Sequence, residues 1–309
     1  MKKPVINVLL ISFLVISLFC LKNYLQCELT DKEAVDVVEK FHTKMNIKYQ
    51  QDSFSIENER KNLISGVDSK RVIVGNANEY KTLAEINCKT KEVVHFINRN
   101  IMESSRNKYT ISTNNIKHLK WPSFIDEKKA KDLLVLLANR IGLPEDAEFA
   151  DLNLDSNDGI WIGKWKRKYK GISYEKSCMT IAILAVDGEF YSFSKLTEMD
   201  PYPAEIKISR SEAIAIAHKK FIAFFTKDVW EKNKDIFEVK SAELYYSVED
   251  NILNHVIYYS RPRLVWVVVF DAKEGMGRDT VEILIKDKSV IKIDPITGKI
   301  LNSKIEIVR

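Results

Sequence analysis

Three times along this chain an apolar residue precedes a residue suited to cap a helix, and alanine stands four positions after the cap. The openings read Leu29-Thr30-Asp31-Lys32-Glu33-Ala34, Ile125-Asp126-Glu127-Lys128-Lys129-Ala130 and Ile208-Ser209-Arg210-Ser211-Glu212-Ala213. Thr30 with Glu33, and Ser209 with Glu212, are capping boxes, in which two orphan N–H groups at a helix start are satisfied reciprocally. Asp126 is a good cap without the box. Leu29 and Ile208 stand where a hydrophobic staple begins.

Each opening leads into an apolar stripe at spacings of three and four, the pattern of one buried helix face. The stripes are Ala34, Val38, Phe41 and Met45; Ala130, Leu133, Leu134, Leu137 and Ile141, stopped by Gly142 and Pro144; and Ala213, Ile214, Ala217, Phe221, Phe224 and Phe225. Strand-like text ending in a hairpin follows each helix. The turns are Lys89-Thr90-Lys91-Glu92, Asp187-Gly188 and Asp294-Pro295-Ile296-Thr297-Gly298, where glycine takes a positive φ. Thr30 to Val94 and Asp126 to Phe190 are both 64 positions, against 91 from Ser209 to Ile300. The excess reads as an insertion around Asp228 to Tyr259, holding a further strand from Glu238 to Val248. The pattern predicts an α+β fold of tandem modules, each a helix packed on an antiparallel sheet.

A length of 309 residues suits two or three such modules, and 45% hydrophobic with 29% charged residues excludes a mainly disordered chain. The net charge of +5 is spread among interspersed acids and bases, unlike the clustered basic face of a nucleic-acid binder. At the N-terminus, Lys2 and Lys3 precede an almost wholly apolar run from Val5 to Leu21. That run is at the short limit for a bilayer span and slightly long for a cleaved signal. No small-residue cleavage pattern follows it, so an uncleaved anchor is favoured, with the lysines inside and the body extracytoplasmic. The alternative is secretion after cleavage. Phe19 before Cys20 is not small, which disfavours lipoprotein processing.

Cys20 and Cys27 lie in or beside the anchor, and Cys88 and Cys178 in strands of different modules. An oxidising exterior permits a Cys88–Cys178 bridge; two half-buried thiols are the plainer expectation. No spacing suggests zinc.

The C-terminal residues carry a resemblance. Ser-Glu-Ala-Ile-Ala-Ile-Ala (Ser211 to Ala217), the strand Arg263 to Phe270 with its Trp266-Val267, and the closing Asp294-Pro295-Ile296-Thr297-Gly298-Lys299-Ile300-Leu301 together resemble a PepSY domain over about 100 residues. The middle segment, with Trp161 to Tyr169 and the Asp187-Gly188 hairpin, is similar to the PepSY-like repeats of secreted peptidase propeptides. The first matches in outline only. The resemblance implies a helix on an antiparallel sheet outside the cytoplasm, without catalytic residues. Such domains occur in metallopeptidase propeptides and in membrane-anchored envelope proteins, including spore-germination proteins, with peptidase control as their proposed role.

Chemistry is otherwise sparse. His42, His95, His118, His218 and His255 form no His-Glu-x-x-His or close pair, and no nucleophile elbow, P-loop or dinucleotide fingerprint is present. No catalytic, cofactor-binding or metal residue is assigned. Asp151 to Gly159 alternates like a calcium loop, but Ser156 and Ile162 stand where glycine and a bidentate glutamate belong, so a polar turn is expected. Trp161 to Tyr169 would place Ile162, Lys164, Lys166 and Lys168 on one face, a row that protects an edge, faces solvent or binds a polyanion. Glu274 to Arg278 reads as a flexible loop.

The sequence thus divides into 1–27 (anchor or signal), 28–118 (diverged PepSY-like), 119–203 (PepSY-like) and 204–309 (PepSY). It reads as a membrane-anchored, extracytoplasmic, non-catalytic binding or regulatory protein whose partner is an envelope peptidase or other envelope protein. The alternatives are a sensor of an envelope polymer or small ligand, and a hydrolase with dispersed catalytic residues.

Overall fold

The structure, a computed structural model, describes residues 27, 29–47, 54–59, 69–76, 79–113, 116–196, 201–202, 205–247, 250–253, 256–259, 262–273, 284–285, 288–305 and 307–308. The anchor Val5 to Leu21, Cys20 and the Glu274 to Arg278 loop lie outside these residues. Among the described residues, no helix is long and apolar enough to cross a membrane. The elements in chain order are α1 (Asp31–Met45), β1 (Phe54–Glu59), β2 (Ser69–Asn76), β3 (Glu79–Asn87), β4 (Val93–Asn98), α2 (Arg99–Tyr109), β5 (Thr110–Thr113), β6 (Ile116–Leu119) and α3 (Glu127–Ile141). Then come β7 (Ala147–Asp155), β8 (Ile160–Tyr169), β9 (Ile172–Ser173), β10 (Met179–Leu184), β11 (Phe190–Lys195), α4 (Arg210–Ile222) and α5 (Lys227–Asn233). The chain ends with β12 (Phe237–Ser247), β13 (Asp250–Leu253), β14 (Val256–Tyr259), β15 (Arg263–Ala272), β16 (Leu284–Ile285), β17 (Ser289–Ile293), β18 (Ile300–Lys304) and β19 (Ile307–Val308).

The fold is helices with antiparallel sheet. One sheet runs β1-β2-β3-β4-β11-β10-β8-β7, with β9 on β8; another runs β12-β15-β17-β18. Two compact units result: residues 1–142, 152–163 and 180–196 form one, and 143–151, 164–179 and 197–309 the other. β7 and β8 each contribute residues to both.

The three openings fold alike. Thr30, Asp126 and Ser209 are N-caps, accepting from the backbones of Glu33, Lys129 and Glu212, and both capping boxes are closed. The recurrent alanine donates its N–H to the cap carbonyl at 3.0 Å in each: Ala34 to Thr30, Ala130 to Asp126, Ala213 to Ser209. All three alanines are fully buried.

The three closing hairpins also share one geometry. Asn87, Leu184 and Asp294 each donate to the carbonyl five residues on, at 2.9 Å. Each also accepts from the residue four on: Lys91, Gly188 or Gly298. That fourth residue has φ 56°, 85° and 72° respectively. The last two are glycines, for which a positive φ carries no Cβ penalty; a Cβ on Gly188 would stand 2.5 Å from Leu133 Cδ1, and one on Gly298 3.1 Å from Ile216 Cδ1. In the first hairpin Lys91 accepts the left-handed conformation and pairs with the capping Glu33 at 2.8 Å. Lys91 and Thr30 together hold the Glu33 carboxyl down to about 2.

A donor from the second strand then closes each copy. Trp161 Nε1 donates to the Ile125 carbonyl at 3.2 Å and Trp266 Nε1 to the Ile208 carbonyl at 2.9 Å. In the first copy Lys70 Nζ takes this place, donating to the Leu29 carbonyl at 2.5 Å and to Asp31 at 2.6 Å.

Cores form under the helices. In the first unit Phe41 of α1 meets Phe96 at 5.1 Å and Phe193 at 5.4 Å, while Phe96 stacks on Phe190. β4 and β11 pair antiparallel with Phe96 opposite Phe193. In the second unit Ala213, Ala217 and Phe221 of α4 cover Phe237, Ala242, Trp266, Val268, Phe270, Ile291 and Ile293. Phe221 stacks on Phe270 with centroids 4.4 Å apart. Burying each such ring contributes roughly 1.5–3 kcal/mol.

Three expectations are corrected. Cys88 bonds Cys27, not Cys178; Cys178 is buried, its N–H bonded to the Trp165 carbonyl at 2.8 Å. Phe224 falls just beyond the C-terminus of α4 and is 49% exposed. The strand from Glu238 is not inserted: it is β12, an end strand of its sheet, as β1 and β7 are the two end strands of the other. The excess length includes the β13–β14 hairpin.

His42 on α1 is fully buried beside Phe96, and burial pushes its imidazole down to about 4. Its neutral form is favoured only in the fold, so its contribution is complete above about pH 6.5 and declines as pH falls toward about 4, by on the order of 3 kcal/mol. His95, lowered by burial, acts in the same direction; Glu85, raised by burial against Arg71, acts in the opposite one. We expect His42→Phe to remove most of the acid loss in urea unfolding free energy between about pH 7 and about pH 4.5. An unchanged loss places the acid sensitivity elsewhere.

Candidate functional site

Side chains alternate across a strand, so the residues between the core positions of the β12-β15-β17-β18 sheet share the face turned from α4. Register pairs Glu243 with Val267, Tyr245 with Val265, Ser247 with Arg263, and Val267 with Lys292. Glu175 joins this face because its own N–H donates to the Tyr246 carbonyl at 2.9 Å, beside the parallel bridge from Tyr174 to Tyr246.

Glu175 Oε2 there accepts from Lys292 Nζ at 2.6 Å and from the Ser247 hydroxyl. Lys292 Nζ also donates to Ser247 Oγ at 3.1 Å. Beside this trio Tyr245 donates its hydroxyl to Glu243 at 2.5 Å, and that bond, with burial, pushes the phenol up to about 12. Lys166 Nζ lies 5.6 Å from the Tyr245 ring centre.

A serine beside a lysine invites comparison with a nucleophile and its base, but the geometry opposes it. A general base must present a lone pair to the hydroxyl proton. Here Nζ is a donor to both the carboxylate and the serine oxygen, and Ser247, only 3% exposed, gives its proton to Glu175. What the arrangement can do is present paired charges and hydrogen-bonding groups on a rigid sheet.

The segments singled out by sequence fall as follows. Trp161 and Trp165 are buried, with Trp165 edge-on to Phe149 at 5.2 Å. β8 lies between β10 and β7, so its lysines do not guard an edge. Lys164 pairs with Asp151 at 3.3 Å, Lys168 pairs with Glu148, and Lys166 lies over the Tyr245 ring, so two of the three lysines are already paired with acids. Asp151 to Gly159 forms the end of β7 and a turn, where Asp155 Oδ1 accepts from Asn157 and Asp158. Among the described residues, no group of three or more His, Cys, Asp or Glu could hold a metal ion. Glu175, Ser247 and Lys292 are far apart in sequence and carry no motif; only the fold unites them.

No protein-family model matches the sequence, and no curated protein does. Among solved structures the chain is similar to the Bacillus megaterium YpeB C-terminal domain, at 13% identity over 90% of this chain and 98% of that one, with a TM-score of 0.44. At that score the likeness carries no argument.

The donors behind the caps are testable. Removing one leaves a buried carbonyl at Leu29, or a partly buried one at Ile208, without its partner, a cost of about 1–3 kcal/mol. We expect Trp266→Phe and Lys70→Met each to lower the denaturant unfolding free energy by that amount. Losses under about 0.5 kcal/mol would show that water satisfies these carbonyls equally well.

Proposed function

We propose that this chain is a membrane-anchored, extracytoplasmic, non-catalytic regulatory protein made of tandem PepSY-like modules, and that it restrains an envelope peptidase. The observation that carries the reading is the recurrence of one helix-on-hairpin geometry at three places in the chain. It includes the Trp266 strand and the Asp294 to Gly298 hairpin on which the PepSY resemblance rests. In this reading the modules are 28–118, 119–203 and 204–309, behind the anchor Val5 to Leu21. The Cys27–Cys88 bond supports an oxidising compartment, since such bonds persist outside the cytoplasm and are rare within it. Contacts with the partner use the paired charges of Glu175 and Lys292, held in place by the buried Ser247 hydroxyl, which suit reversible recognition better than covalent chemistry.

The test is proximity crosslinking of the full chain in its own membrane, with Trp266→Ala as a control for a disrupted C-terminal core. That truncation should cost about 3–5 kcal/mol. We expect a peptidase to be captured by the wild type and lost in the control. Reproducible capture of an envelope polymer or small ligand, with no protein, would contradict the proposal.

A further inference from the structure

We infer that the Cys27–Cys88 bond is a reducible latch on α1, which a dithiol opens while the rest of the fold stays closed. The three copies show what the bond replaces. The residue after the first hairpin position is Cys88, Ala185 or Pro295. In the second copy the Ala185 carbonyl accepts from Ile125 N at 2.8 Å, and in the third the Pro295 carbonyl accepts from Lys207 and Ile208 N at 2.8 Å. Each of these bonds ties the chain just before a cap to its own hairpin. In the first copy the tie is covalent: Cys27, three residues before the cap Thr30, is bonded to Cys88.

The neighbouring fastenings of this copy use lysines where the others use an indole N–H and a glycine. Lys70 stands in place of an indole, and Lys91 pairs with Glu33 where glycine packs under leucine or isoleucine. Cys27 is half-buried and Cys88 buried, so Cys27 is the less covered end of the bond. One thiolate of the dithiol attacks Cys27 Sγ and expels the Cys88 thiolate, which takes up a proton. The second thiol then attacks the reductant's own sulfur in the mixed disulfide and releases the Cys27 thiol. Two electrons and two protons pass to the cystine, and the dithiol becomes a disulfide. α1 carries Phe41 onto Phe96, Phe190 and Phe193, so its release uncovers an aromatic face. The inference is independent of the partner proposed above.

The test treats the full chain with dithiothreitol at neutral pH without denaturant. It reads cysteine alkylation and amide hydrogen exchange by mass spectrometry. We expect Cys27 and Cys88 to become alkylated and exchange across residues 31–45 to accelerate about tenfold or more, with less than about twofold change in 127–141 and 210–222. Cys27→Ser should reproduce this without reductant. Three results would overturn the latch: reduction only in denaturant, protection of α1 unchanged in the reduced chain or in Cys27→Ser, or all three helices losing protection together. The reduced wild type decides the matter even if the variant does not fold.

Discussion

A carbonyl that the fold turns away from solvent must find a donor, and this structure is organised around one such carbonyl repeated three times, buried at Leu29 and partly buried at Ile125 and Ile208. A capped helix settles its own first N–H groups. The carbonyl one residue before the cap remains, turned toward the sheet. Leu29, Ile125 and Ile208 supply it, and Lys70, Trp161 and Trp266 answer it from the second strand of each copy. That bond fixes where the helix begins over the sheet. The alanine one turn later is fully buried in each copy, and the hairpin's fourth residue takes a left-handed conformation.

The copies differ at the end of the fourth strand. Counting from the first hairpin residue, Phe96 and Phe193 are both nine positions on, and they face each other in the β4–β11 pair with Ile97 opposite Ser192 and His95 opposite Ser194. The pairing is therefore symmetric about equivalent residues, and its rings join Phe41 in one core. β3–β4 and β17–β18 share the same register shift, which makes Ser303 the third equivalent. Ser303 is exposed between Asn302 and Lys304, a polar edge of the kind that discourages strand addition. Aromatic residues join two copies into one sheet, and a serine ends the other sheet.

Much of this was legible in the residues. Caps, alanines and apolar stripes are local, and the helices form where their periodicity places them. Glycine at 188 and 298 announces its turn because φ is positive there; Lys91 takes the same positive φ with a side chain attached, so the turn is hidden in the first copy. The role of Lys70 was invisible, because a lysine in a strand reads as solvent-facing until the carbonyl above it is seen. The lysines of β8 misled for the opposite reason: their acidic partners Asp151 and Glu148 stand on the neighbouring strand. Cys88 could not be paired by spacing, since Cys27 reads as part of the anchor. The polar trio Glu175, Ser247 and Lys292 depends on a long-range docking that no local pattern encodes.

The most direct measurement is the exchange of the indole N–H protons of Trp161 and Trp266, followed by nitrogen-resolved NMR and assigned by single Trp→Phe substitution. If both indoles hold the carbonyls that precede the caps, both exchange only when their own module opens, at rates matching the buried amides of α3 and α4. Exchange at the rate of a solvent-exposed indole in either one would contradict the shared construction.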